Sequence, residues 1–216
     1  MSYIPDPSAP PDPSLCTVYL LRHGEVANSH LVCLNGHHDI ALSENGVAQS
    51  KRLGETLSRY PVSAVYSSDL TRTREGARAI AEPHGLTPTS CPELRELSFG
   101  KWEGMSVSEL AEQHPGVLEH RFQNPDTFKA DGGESFQDLH DRVLPKFHAI
   151  AQAHMGETIV IVAHGGVNRV VLCDLLEFPL KNLFRISQEY AAVNRILYRP
   201  GTPLVDFVNG TALHLG

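Results

Sequence analysis

Two short, almost wholly apolar runs end in the same way. Thr17 to Leu21 closes on Arg22-His23-Gly24-Glu25, and Thr158 to Ala163 closes on His164-Gly165-Gly166 before a helical pattern through Val170, Val171, Leu172, Leu175 and Leu176. Continuous aliphatic and β-branched runs of this length suit strands covered on both faces, the usual condition of a parallel sheet. Open α/β sheets bind ligands at the carboxyl ends of such strands. Arg22, His23 and His164 then fall at a crevice mouth. A single histidine after a strand reads as a packed side chain, but its recurrence, with an arginine beside one copy, reads as a site.

The chain between these runs supplies the other layers. Ser43 and Glu44 open a helix through Val47, Leu53 and Leu57, with Gly46 as a weak point near its start. Val62 to Tyr66 reads as a second buried strand, and Ser67 or Ser68 can cap the helix from Leu70 to Ala81. A short strand near Thr87 to Cys91 follows, then helices at Val107 to Gln113 and Val117 to Phe122. Asn124 to Glu134 reads as a long polar excursion over the site, and Ser135 to Ala153 as an amphipathic helix kinked at Pro145. Ala192 to Tyr198 and Leu204 to Val208, joined by a Pro200-Gly201 turn, read as an antiparallel pair at a sheet edge. The expected fold class is α/β: a three-layer αβα sandwich whose mixed sheet is mostly parallel with an antiparallel edge, and with helices on both faces.

With 216 residues, one sizeable domain over residues 15–216 is expected, preceded by a disordered tail over residues 1–14 that carries Pro5, Pro7, Pro10, Pro11 and Pro13. The balance of 18 basic against 25 acidic residues gives a formal net charge of -7, which disfavours nucleic acid or an anionic membrane as the main partner. An anionic substrate must be attracted locally instead. No run is long and apolar enough for a membrane span, and the N-terminus lacks the basic and apolar regions of a secretory signal, so a cytoplasmic address is expected. Cys16, Cys33, Cys91 and Cys173 stand far apart and read as reduced thiols. The 12 histidines show no metal-ligand spacing, so neither metal nor cofactor is expected.

Four separated pieces resemble the histidine phosphatase superfamily, the phosphoglycerate mutase-like group. They are Leu21 to Glu25, Tyr66 to Arg72, Leu94 to Gly104 and Val162 to Gly166, and the resemblance extends from about Thr17 to Tyr198. It implies an αβα sandwich and a phosphohistidine intermediate. It also implies Glu96 as the proton donor and acceptor, with Glu93 and Glu103 as local competitors. The wording of Leu94 to Gly104 is most similar to the α-ribazole phosphatase and broad-specificity phosphatase branch. Many relatives carry an asparagine one position later than Asn28, where this chain has Ser29; Asn28 is taken as the phosphate-facing residue, with a loop-stabilising Asx turn as the alternative.

The residue types are competent for that chemistry. A neutral imidazole attacks phosphorus through one ring nitrogen when the other is held as a donor, and for His23 the Gly24 carbonyl is the simplest holder. Gly24 would also let the chain bend. The forks of Arg22 and Arg72 fit phosphate oxygens. Arg74 and Arg78 point to other faces and read as solvated. His164, if protonated, adds a cationic donor, and amides after Gly165 add the positive end of a helix dipole. The loop from Glu25 to Ile40, with Asn28 and Gly36, lies over the strand end, where loops hold substrates. The substrate-binding set is therefore Arg22, Gly24, Asn28, Gly36, Arg72, His164 and Gly165.

Between Lys101 and Glu134 only Lys101, Arg121 and Lys129 are cationic, whereas mutases of the phosphoglycerate type carry a strongly basic insertion there. Hydrolysis of a small-molecule phosphomonoester is the expected function. The alternatives are mutase-type phosphotransfer, a non-catalytic phosphate-binding regulator and a metal-dependent hydrolase. Oligomeric state is left open, with a homodimer as one reading.

Overall fold

A computed structural model describes residues 12 to 215. Along them run β1 (Cys16–Arg22), α1 (Glu44–Leu57), β2 (Val62–Ser67), α2 (Thr71–Ala81), β3 (Thr89–Ser90), α3 (Val107–Gln113) and α4 (Val117–Gln123). Then follow α5 (Phe136–Ala153), β4 (Thr158–Ala163), α6 (Gly165–Leu175), β5 (Val193–Tyr198) and β6 (Leu204–Gly210). The sheet order is β3-β2-β4-β1-β5-β6. The first four strands are parallel, and β5 and β6 form the antiparallel edge.

Successive residues of a strand face opposite sides, so a strand apolar at every position needs a cover on each side. Val18, Leu20, Ile159 and Ile161 pack on Leu139, Val143, Phe147 and Val170 of α5 and α6. Tyr19, Leu21, Val160 and Val162 pack on Leu53, Leu57, Ala77 and Ile80 of α1 and α2. The result is the αβα sandwich that the run patterns imply. Among the described residues, no helix is long and apolar enough to cross a membrane.

Helix starts follow local side-chain chemistry. Ser43 Oγ accepts from the Gly46 amide, and α3 and α5 open with reciprocal capping boxes, Ser106 with Glu109 and Ser135 with Asp138. α5 continues through Pro145 for 18 residues.

Three expectations change in detail. The strand near Thr87 to Cys91 shrinks to Thr89–Ser90, because Pro88 and Pro92 bracket it and can donate no ladder hydrogen bond. α2 is preceded by Leu70, which gives no side-chain cap; Ser68 Oγ, two residues earlier, accepts from the Leu70 amide at 3.3 Å and also faces His164. Of the stretch read as a tail, residues 1–11 lie outside the described residues. Asp12 to Ser14 form a turn in which Asp12 accepts from the Ser14 amide at 2.8 Å and pairs with Arg199 at 3.0 Å.

The pairing that matters most for function is β1 with β4. Their parallel register sets Leu21 opposite Val162 and Arg22 opposite Ala163, and the His23 amide donates to the Ala163 carbonyl at 3.0 Å. His23 and His164, each one residue past its strand, are therefore neighbours.

Candidate active site

The two histidine rings lie 5.3 Å apart between centroids, and both are buried. His23 Nδ1 is 2.7 Å from the Gly24 carbonyl oxygen. A carbonyl can only accept, so Nδ1 carries the proton and Nε2 keeps its lone pair. Gly24 does not have a positive φ, so its role there is not a left-handed turn. Its missing side chain instead allows the backbone of Gly46 to approach, since a Cβ on Gly24 would stand 2.9 Å from Gly46 Cα.

Arg72 is only 1% exposed. Its terminal nitrogens donate to the carbonyls of His38 at 3.0 Å and Gly36 at 2.6 Å, and Nε donates to His164 Nδ1 at 3.3 Å. His164 Nδ1 is thus an acceptor, so Nε2–H donates to Ser68 Oγ at 2.8 Å. Ser68 also bonds Thr73 Oγ1 at 2.7 Å, which ties the second histidine to the first turn of α2. The cationic donor expected of His164 is absent from this state: the ring is neutral, and its lone pair is engaged by Arg72.

Arg22 Nη1 donates to the Gln188 carbonyl at 2.5 Å, and its guanidinium stacks 4.1 Å from the Tyr190 ring centroid. Its Nε is buried without a partner. An orphaned buried donor costs about 1–3 kcal/mol, a penalty that a bound anion would relieve. Gln188 is itself held by Asn168 and Asn194, and Asn194 donates to the Leu20 carbonyl at 2.8 Å.

Glu96 Oε1 accepts from the Leu97 amide at 2.8 Å, and Oε2 accepts from the Gly166 amide at 2.9 Å. One of the helix-start amides expected to meet an anion therefore holds this carboxylate. A Cβ on Gly166 would stand 3.1 Å from Glu96 Cδ, so a side chain there would push the Glu96 carboxylate from this position. The competitors have other work. Glu103 accepts from the amides of His37, His38 and Phe99 at 3.0, 2.8 and 2.7 Å, joining two loops, and Glu93 faces Lys146 at 3.7 Å.

Arg22, His23, Arg72 and Glu96 line one cavity of about 160 Å³, together with Asn35, Gly36, Phe99 and Tyr190. Gly36 has φ +36 and contributes its carbonyl to Arg72. Asn28 does not line the cavity; its amide and that of Asn35 bond each other both ways, at 2.9 and 3.0 Å. Asn35 is the member of this pair that faces the cavity. Gly165 lies beside Arg22 Nε, which a Cβ there would meet at 3.5 Å. Arg74 and Arg78 are exposed and line a separate surface hollow with Ser67 and Asp69. Among the described residues, no group of three or more His, Cys, Asp or Glu is placed to hold a metal ion.

Gln188, Tyr190, Ser68, Asn35 and His37, whose Nε2 lies 2.9 Å from the Glu96 carbonyl oxygen, are site residues that motif reading missed. For Gln188 and Tyr190 a signal existed. A strand antiparallel to β1 begins where β1 ends, so the segment leading into β5 must pass the crevice.

Both histidines titrate well below the usual imidazole value, His23 through burial and then Arg72 and Arg22, and His164 through burial and then Arg72, His23 and Arg22. They stay neutral when folded and become charged in the unfolded chain below about pH 6.5. The unfolded state then binds more protons, so the contribution of this pair is complete above that pH and is lost as pH falls toward the folded-state values. The unfolding free energy from urea titrations should drop between pH 7.5 and 5.5, by up to about 1.4 kcal/mol per histidine per pH unit. H164Q should flatten the slope, and an unchanged slope would contradict the assignment.

Residues 18–211 match the profile of the histidine phosphatase superfamily (branch 1). The chain belongs to that family. It is 30% identical over 197 residues to phosphoserine phosphatase 1 of Hydrogenobacter thermophilus, covering 91% of this chain and 93% of the relative. Among solved structures, YhfR of Bacillus stearothermophilus superposes with a TM-score of 0.85 at 31% identity, covering 93% of this chain and all of the other. The α-ribazole phosphatase of Shigella flexneri shares the fold, with a TM-score of 0.82 at 23% identity over 90% of this chain and 96% of the other. This histidine phosphatase chain thus has phosphatases among its relatives over nearly its whole length.

Proposed function

We propose that this histidine phosphatase hydrolyses small phosphomonoesters through a phosphohistidine on His23. The observation that carries the reading is a neutral imidazole with Nδ1–H held by the Gly24 carbonyl, in a cavity where Arg22 Nε is a buried donor without a partner. Nε2 attacks phosphorus, the P–O ester bond breaks, and Glu96 as the acid delivers its proton to the departing alkoxide. Water then attacks the phosphorus of the N–P intermediate and gives its proton to the Glu96 carboxylate. The N–P bond breaks, and inorganic phosphate leaves. Guanidinium donors from Arg22 and Arg72 stabilise charge on the equatorial oxygens in both steps.

Hydrolysis is favoured over mutase chemistry by the paucity of cations above the site. Lys101 is paired with Asp131 and Lys129 with Asp138, which leaves Arg121 as the unpaired cation of that stretch. The four cysteines are free thiols, which supports a cytoplasmic setting, and the net charge supports a small-molecule partner over nucleic acid. The motif wording of Leu94 to Gly104 supports an α-ribazole or broad-specificity phosphatase, and the relative named for phosphoserine supports an amino-acid phosphate.

The test is a panel of phosphomonoesters in EDTA, including α-ribazole 5'-phosphate, O-phosphoserine and 3-phosphoglycerate, with a mutase assay alongside. Phosphate release that persists in chelator is expected. Interconversion of phosphoglycerates faster than phosphate release would refute hydrolysis, and inactivation by EDTA would point to a metal-dependent hydrolase.

A further inference from the structure

Away from the catalytic cavity, α2 carries two more arginines without a partner. Arg72 points into the centre, whereas Arg74 and Arg78, four residues apart on another face of the helix, are exposed. They line a separate hollow of about 380 Å³, with Ser67, Asp69, Thr87 and Ser90 among its walls. Like charges at this spacing disfavour a helix. Glu75 lies on the same helix and Glu82 at its end, yet among the described residues neither guanidinium is engaged in an ion pair or a hydrogen bond.

The floor of the hollow adds a second observation. Side chains alternate along β2: the Tyr66 hydroxyl lies 2.8 Å from His154 Nε2 at the end of α5, so Ser67, one residue on, faces the opposite layer, that of α2. Ser67 is 0% exposed, and its Oγ has no hydrogen-bond partner. A buried polar group left unpaired is costly, and native proteins keep few of them. The one carboxylate on the wall is already met, since Asp69 accepts from Arg95 Nε at 2.7 Å and from Nη2 at 2.6 Å. Two cations and a set of hydroxyls are left over, in a chain whose formal net charge is -7.

We propose that this hollow is a second, non-catalytic anion site that takes the phosphate group of a small phosphorylated molecule. Two guanidinium forks and the hydroxyls of Ser67, Thr87 and Ser90 offer bonds in several directions, which suits a tetrahedral oxyanion better than a planar carboxylate. At about 380 Å³ the hollow is more than twice the size of the catalytic cavity of about 160 Å³. It also falls in the range of roughly 300–1,000 Å³ typical of small-molecule sites, so the organic portion fits beside the phosphate. Among the described residues no histidine or cysteine lines it, and Asp69 is held by Arg95, so the ligand is bound and not turned over. Ser67 adjoins Ser68, whose hydroxyl bonds His164, and Arg74 lies two residues past Arg72. The two sites thus share one strand end and one helix start, and a test has to tell them apart.

Amide NMR titrations of the full chain do so. In an H23A background, which keeps esters intact, glycerol 3-phosphate and inorganic phosphate are added separately. The amides of Arg74, Arg78 and Ser90 should follow one saturation curve and those of Gly24 and Gly36 another, with glycerol 3-phosphate filling the hollow at the lower concentration. Adding R74Q and R78Q should raise the apparent Kd of the first curve by about 10-fold or more, as expected for loss of charge-assisted bonds, and leave the second within about twofold. Retention of the second curve also shows that the variant is folded. In the enzyme with His23 intact, R74Q/R78Q should leave the rate of phosphate release from p-nitrophenyl phosphate unchanged.

Amides of the hollow that stay still, that follow the catalytic curve in both proteins, or that move equally with sodium chloride at matched ionic strength would each overturn the site. Filling of the hollow by inorganic phosphate at a lower concentration than by glycerol 3-phosphate would assign it to the free ion and overturn the phosphorylated molecule as its ligand. None of these outcomes bears on the phosphatase reading, which is judged by turnover at the other site.

Discussion

Replacing His23 by alanine lowers kcat for phosphate release by a factor of about 10³ or more, because the covalent route loses its nucleophile while the cradle of donors remains. The expectation follows from one geometric fact. With Nδ1–H held 2.7 Å from the Gly24 carbonyl oxygen, Nε2 is the only ring atom of His23 with a free electron pair. Substrate labelled in its phosphoryl group should leave acid-labile, base-stable label on wild-type protein after a rapid quench, and none on H23A. H164A separates the two rings further. His164 is fully buried and bonded to Arg72 and Ser68, so its loss should slow labelling without abolishing it. Label that persists on H23A would place the nucleophile elsewhere, and His164 would be the next residue to examine.

How much of this was readable beforehand depended on whether a feature was local. The strands β1 and β4 were legible because a strand covered on both faces has to be apolar at nearly every position, and theirs are. Their pairing made a site from two distant triplets, and a shared ending in His-Gly was enough to suggest it. Arg72 was legible for the same reason, since it starts one residue into a helix that follows a strand.

Contacts made across the sheet were not legible. Ser68 looked like a helix cap because serine before a helix usually is one. Nothing local in the sequence tells that the imidazole just past β4 would also reach its hydroxyl. Likewise Asn28 offered a suitable amide, but Asn35, seven residues on, satisfies it from the other side of the same loop. The state of His164 depends on the summed field of burial and two guanidinium groups, which no spacing rule reports. Glu96 and Glu103 could not be told apart by chemistry, because both are carboxylates in a turn-rich segment. What separates them is the set of amides each accepts from, and only folding brings those amides together.

Glu96→Gln is the variant whose effect should depend most on the substrate. The amide keeps the volume of the carboxyl, but its one carbonyl oxygen can accept from only one of the Leu97 and Gly166 amides, which now bond different carboxylate oxygens, and it has no acidic proton to give. For an alkyl phosphate, whose alkoxide is strongly basic, kcat should fall by about 10²- to 10³-fold, within the range for loss of a general acid. For p-nitrophenyl phosphate, whose phenolate leaves without help, formation of the phosphoenzyme should slow by less than about 10-fold. Dephosphorylation still needs the same residue as a base toward water, so a burst of nitrophenolate followed by slow turnover is expected in a stopped-flow trace. This pairing of a fast first step with a stalled second step is what distinguishes a shared acid and base from a residue that merely binds. If E96Q instead slowed the alkyl and nitrophenyl esters equally and showed no burst, Glu96 would be holding the amides of α6 in place rather than moving protons. The donor would then have to be sought elsewhere along the cavity wall.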